Sequence, residues 1–186
     1  MGSYITIGFV CGEKIKKDKF IDIAKKTLQK NESSNFKAKY PISSDLENWD
    51  EKNFEYDSIQ EMMLRCLDKK EAYISFDYAN KKNNIKDIIL QFEEIKNDSI
   101  GMLISIPESG FENLNIDEVE KNITERLKSI IDLGYDYIFC DNEAYIEHPI
   151  KEVFKNKNLY SILILKDKNV KLSNWKIDGL QERQNI

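Results

Sequence analysis

Between Asp132 and Pro149 the chain reads Asp-Leu-Gly-Tyr-Asp-Tyr-Ile-Phe-Cys-Asp-Asn-Glu-Ala-Tyr-Ile-Glu-His-Pro. The segment gathers five carboxylates (Asp132, Asp136, Asp141, Glu143, Glu147), three tyrosines (Tyr135, Tyr137, Tyr145), Cys140 and the one histidine of the chain, His148. No Lys or Arg interrupts it, although the chain carries 28. Asp141, Glu143, Glu147 and His148 offer oxygen and imidazole ligands to a metal. Transition-metal sites, however, draw on several His or Cys, and a calcium loop needs a central Gly that 141–149 lacks. Cys140 becomes a nucleophile only if His148 folds back to lower its thiol pKa, and Cys140 ends an apolar stretch where a thiol is usually core. Asp141 and Glu143 share a face if a strand runs on past Cys140. A raised pKa on one would then support hydrolytic acid–base work, metal-assisted or not. Acid pairs at strand ends are equally ordinary as solvated turns.

Recognition of a basic partner asks for less coincidence. Tyrosine gives rigid contact area with a hydrogen-bonding tip, and carboxylates pair with Lys or Arg across an interface. Asp136, Asp141, Glu143, Tyr145 and Glu147 form one candidate patch of this kind, although alternate aromatics of the segment must face a core. A second lies in the irregular acidic stretch from Ser43 to Glu55, with Asp45, Glu47, Trp49 and Asp50. Trp49 there either meets a partner or pins the loop to the core, the commoner fate of Trp. The charge distribution favours a basic partner. Residues 40–149 carry 25 acids against 11 bases, whereas 1–39 and 150–186 are both basic, leaving a net charge of −5. Nucleic acid is disfavoured, because the middle repels phosphate and the basic ends are plain Lys runs with little Arg.

The elements that must position these residues follow from periodicity. Ser3–Cys11 is an apolar, β-branched strand, and Asp18 opens a helix with Phe20, Ile21, Ile23, Ala24 and Leu28 on one side. A short strand follows at 36–40. Ser58 with Glu61 makes a capping box before a helix faced by Ile59, Met62, Met63, Cys66 and Leu67. Residues 72–78 alternate as a strand, and Asn84 opens a helix with Ile85, Ile88, Ile89, Phe92 and Ile95 on one side. A strand at 99–106 precedes the longest helix, from Asn115 to a stop at Gly134. Residues 135–140 form a strand, Pro149–Lys155 a short helix, and 159–165 with 170–175 a closing hairpin. This order predicts an α+β or α/β sandwich, a mixed sheet covered by helices.

A length of 186 residues suits one globular domain, expected over 1–178, with 179–186 as a loose tail. Cys11, Cys66 and Cys140 are unpaired in spacing, no signal peptide or membrane-length apolar run is visible, and a reduced cytoplasmic protein is expected. Met1-Gly2 with Thr6 fits a loose myristoylation pattern, against which a buried strand at 3–11 leaves little free tail. Gly8–Lys14 lacks the spacing and the Gly-Lys dipeptide of a phosphate loop, and no cofactor motif is present.

The opening Met-Gly-Ser-Tyr-Ile-Thr-Ile-Gly-Phe-Val and the later Gly-Tyr-Asp-Tyr-Ile-Phe-Cys-Asp-Asn-Glu-Ala resemble the immunity proteins of bacterial polymorphic toxin systems. That resemblance implies a non-enzymatic inhibitor whose partner is a cognate toxin domain. It transfers no site residue. The acidic patches come from the charge argument, and a small hydrolase using Asp141 and Glu143 is the alternative.

Overall fold

The computed structural model describes residues 3–12, 14–44, 46–81, 83–95, 98–111, 114–156 and 158–184. Among the described residues, nine strands and four α-helices follow in the order β1 (Tyr4–Gly12), α1 (Lys17–Thr27), β2 (Ser33–Pro41), β3 (Trp49–Phe54), α2 (Ile59–Leu67), β4 (Tyr73–Ala79), β5 (Asn84–Ile95), β6 (Ser99–Pro107), α3 (Ile116–Ile130), β7 (Tyr137–Asn142), α4 (Ile150–Lys155), β8 (Ile162–Leu165) and β9 (Val170–Leu172). The strands form one sheet in the order β3-β2-β4-β5-β6-β1-β7-β8-β9. The fold is α+β as expected, but every ladder is antiparallel, so the sheet is not mixed.

Strand alternation divides the sheet into two differently covered faces. The first buries Ile5, Ile7, Phe9, Phe36, Ala38, Ile74, Phe76, Ile88, Leu90, Met102, Ile138 and Ile164 beneath the apolar stripes of α1, α2 and α3. Those stripes are Phe20, Ile21, Ile23 and Ala24 from α1, Ile59, Met62, Met63 and Cys66 from α2, and Val119 and Leu127 from α3. The second face carries a smaller core of Val10, Leu103, Tyr137, Phe139, Leu163 and Leu165, covered by Ile146, Val153 and Tyr160. Two glycines make room for that cover. A Cβ at Gly8 would overlap the Phe139 ring, and one at Gly101 would overlap Ile146 Cδ1. The ring of Phe139 lies flat between Gly8 and Tyr160, stacked on the latter at 4.0 Å.

Several local expectations change. Residues 84–95 are a strand, not a helix. Their buried residues Ile85 and Ile88 stand three apart because a register shift between Phe76 and Tyr78 admits an extra residue, with Asp87 at φ 57. A bulge thus imitates helical spacing, and the β-branched run was the better guide. Part of the irregular 43–55 stretch is the edge strand β3. Ser58 precedes α2 without a side-chain cap, because a 3-10 turn at 56–58 leads straight into the helix. Asn115 does cap α3, its Oδ1 accepting from Asp117 N at 2.9 Å and Glu118 N at 3.3 Å.

The residues after β9 make defined contacts. Ile177 is fully buried, and its N–H donates to Glu120 on α3 at 2.8 Å. Arg183 meets the same Glu120 oxygen at 2.7 Å, with side-chain exposures of 9% and 12%. Its guanidinium also donates to the carbonyls of Ser173 and Trp175.

Candidate functional site

The two acidic segments lie far apart in strand order. Six strand spacings separate β3 from β7, roughly 28 Å. The chain after β7 closes much of that distance. Strand β7 ends at Asn142, Glu143 turns in the left-handed region at φ 45, and the following residues cross the second face. The Ile146 N–H donates to Glu93 on β5 at 3.0 Å, and the Ile150 N–H donates to Asp98 at 3.0 Å. Tyr145 and Glu147 flank that first anchor, with Tyr145 57% exposed. Burial raises the Glu93 carboxyl above its ordinary value, and the nearby charges of Glu147 and Glu71 raise it further, against the Ile146 N–H that lowers it. Glu71, Glu93 and Glu147 therefore share one neighbourhood.

That neighbourhood continues toward β3 through the register. Glu51, Lys39, Tyr73 and Gln91 stand opposite one another across β3, β2, β4 and β5, and Gln91 precedes Glu93 by two residues on the same face. Trp49 is 39% exposed, with its ring tilted against Tyr73 at 6.4 Å and its Nε1–H donating to Leu46 O. It is not a peg into the core. Ile42, at 63%, and Leu46, at 38%, are exposed beside it in the turn between β2 and β3. Trp49 and Glu51, the latter paired with Lys37 and Lys39, thus share the second face with Tyr145 and Glu147, whereas Asp50 stands on the first-face side beside Tyr40.

The individual candidates separate into exposed groups and groups spent on the fold. Glu47, Trp49, Asp50, Glu143, Tyr145 and Glu147 are exposed, and Asp50 accepts from Tyr40 Oη at 3.2 Å. Asp45 lies outside the described residues. Asp136 accepts the Gly12 N–H at 2.8 Å and pairs with Lys166 at 3.6 Å. Asp141 accepts from Ser161 N at 3.1 Å, Ser161 Oγ at 2.8 Å and Asn142 N at 2.8 Å. Both are partly buried anchors between strands. Of the tyrosines, Tyr135 and Tyr137 are fully buried, and Tyr135 Oη bonds Thr27 Oγ1 at 2.7 Å. Sequence reasoning missed Glu71, Tyr73 and Glu93. Tyr73 lay on the recognised alternation of 72–78, but its outward neighbours depended on the strand identity of 84–95.

The chemical alternatives find little support in this geometry. Cys140 is fully buried, and burial pushes its thiol upward, away from the thiolate that a nucleophile needs. Cys11 and Cys66 are likewise buried and pushed up to about 12 and about 11. His148 sits 3.6 Å from Glu152 and edge-on to Tyr160 of the second-face core, whereas the Cys140 side chain belongs to the first-face core. Asp141 faces Ser161, while Glu143 leaves the strand in a turn, which breaks the alternation that was to put both on one face. Among the described residues no group of three or more His, Cys, Asp and Glu converges as a metal site. A cavity of about 460 Å³ lies between α3 and the first face, lined by Ile7, Phe76, Ile88, Ile104 and Ile123 among others, away from all the candidates. Among the described residues no helix is long and apolar enough to cross a membrane.

Comparison with family models places this α+β chain in the class of immunity proteins of toxin systems. The model described as Immunity protein 64 matches residues 1–183, and the chain belongs to that family. Comparisons with curated proteins and with solved structures find no match.

Proposed function

We propose that this chain neutralises a cognate toxin domain by binding it through the acidic, aromatic half of the second sheet face. The membership of the family supplies the toxin partner, and one observation carries the choice of surface. Trp49 and Tyr73 stand exposed or half-buried at one end of a face whose other end presents Glu93, Glu147 and Tyr145. Exposed aromatics beside carboxylates are what an interface anchor looks like before its partner arrives. The carboxylates would steer a basic toxin domain and set its register, so association should slow as salt rises.

The test is a titration of the purified chain with its cognate toxin domain, carrying an inactivating substitution. Trp49→Ala should weaken binding by more than about 30-fold if Trp49 is an anchor, the scale of a hot-spot truncation. Glu147→Lys should lower the association rate and flatten its salt dependence. Unchanged affinity and unchanged protection of cells in both variants would reject this surface.

A further inference from the structure

We infer that the cavity between α3 and the first sheet face is a binding site for a linear acyl chain, whose carboxyl or ester head is held at a mouth formed by Arg126, Tyr78 and Asn80. The inference stands apart from the toxin-binding reading and uses none of its residues. The cavity has a volume of about 460 Å³, within the range of small-molecule sites. Its floor is the isoleucine-rich part of the sheet, and its roof is formed by Val119, Ile123, Leu127 and Ile130 of α3. The sheet is not sealed there. Met102 on β6 is fully buried, whereas Ile104, two residues further along the same strand, keeps 9% of its surface, as do Ile7 on β1 and Ile85 on β5.

A lining of this kind favours hydrocarbon over water. The side chains of Ile7, Phe76, Ile88, Ile104 and Ile123 offer no hydrogen bond, whereas a held water needs about two to four polar partners. Methylene groups in the same space remove the remaining apolar surface from water, which is the main favourable contribution in such sites. The roof sets the shape of the occupant. The lining follows α3 from Glu118 to Arg126, a rise of about 12 Å along the helix axis. That length suits an extended chain of about ten carbons.

Donors without acceptors assign the head. Arg126 Nη1 donates to Tyr78 Oη at 3.0 Å, and Asn80 Nδ2 donates to the same oxygen at 2.9 Å. With both lone pairs of that oxygen taken, the Tyr78 O–H must donate elsewhere, and it meets no acceptor among the described residues. The other N–H groups of Arg126 are open as well. Glu32 Oε2 stands 3.8 Å away, beyond hydrogen-bond reach, and makes no hydrogen bond, so Glu32 balances the charge of Arg126 without occupying its donors. Glu118, the one acid among the described lining residues, lies at the other end of the cavity. A head with acceptor oxygens and no donor of its own satisfies this mouth. A fatty acid carboxylate and an acyl ester share that chemistry, whereas an ammonium head would face the guanidinium.

Calorimetry of the unsubstituted chain with decanoate, below its micellar concentration, should show one-to-one binding in the micromolar range, and the melting temperature should rise with decanoate concentration. Methyl decanoate and decylamine are then competed against decanoate. The tighter of the two acyl compounds names the source, and decylamine should bind at least about tenfold more weakly than decanoate. Tyr78→Phe combined with Arg126→Gln should weaken decanoate by at least about tenfold in a chain that still melts cooperatively. Ile104→Trp fills the floor and should abolish binding of both acyl compounds. Should that variant not fold, Ile123→Trp fills the same space from the half-buried roof. The inference is overturned if neither acyl compound binds one-to-one. It is equally overturned if binding survives the filling variant, if the double variant at the mouth binds decanoate like wild type, or if decylamine binds as tightly as decanoate.

Discussion

Asp141 entered as a candidate partner contact and catalytic carboxylate, and its surroundings predict a structural role that replacement by alanine will expose. Its two oxygens accept from the backbone N–H and the hydroxyl of Ser161, which is 1% exposed, and from the N–H of Asn142. The Asn142 bond is local and counts little. The two Ser161 bonds tie β7 to the start of β8 and are made to a carboxylate, so each contributes about 1.5 kcal/mol. In Asp141→Ala the buried Ser161 N–H loses this partner, and partial access to water offsets some of the loss. A destabilisation of about 2.5 kcal/mol follows, which for a chain of this size lowers the melting temperature by about 5–10 °C. Asp141→Asn should lose less, since one amide oxygen still accepts and the Ser161 hydroxyl can turn to accept from the amide nitrogen. Urea titration and thermal melting measure both. Below the transition, the folded Asp141→Ala chain should bind its toxin domain within a few-fold of wild type. A variant as stable as wild type that had lost binding, or any hydrolytic activity that disappeared with it, would refute this assignment.

Three further outcomes follow from buried contacts. Glu93 has its folded pKa raised above the ordinary 4.5, so its contribution to stability is greatest below that value and is lost as pH rises through the raised one. Glu51 and Asp57, held low by lysine partners, act with the opposite sign, so the difference between Glu93→Gln and wild type across a pH series of urea melts isolates Glu93; the variant should be the more stable at neutral pH. Gly101→Val should push Ile146 off the sheet at a cost of about 3 kcal/mol, visible as a lowered melting temperature and as new proteolytic cleavage within 143–150. Glu120→Ala should cost about 3 kcal/mol by leaving Arg183 and the Ile177 N–H without their shared acceptor, and trimming of the C-terminal residues by carboxypeptidase should then speed up.

How far the sequence could be read depended on whether a feature was local. The core strands at 4–12, 99–107 and 137–142 carry β-branched or aromatic runs, and α3 has its Asn115 cap and its stop before Gly134, so each was legible within a window of a few residues. Strand β5 was not, because one extra residue at Asp87 converts a period of two into a spacing of three, and spacing alone cannot tell a bulged strand from a helix. That single exchange of helix for strand hid the candidate surface as well. With 84–95 as a helix, Glu93 has no register with β4, Tyr73 has no outward neighbour, and nothing links Trp49 to Tyr145. Once β5 lies between β4 and β6, the crossing of 143–150 brings the second acidic segment onto the same face, anchored by the Ile146 N–H on Glu93. Composition had marked the chain's middle as acidic, but which acids remain outward was decided by partners distant in sequence. Ser161 took Asp141, Gly12 took Asp136, and Glu147 was left beside Glu93. Charge reversal at Glu147 is consequently a sharper probe of recognition than any change at Asp141, which acts on stability through Ser161.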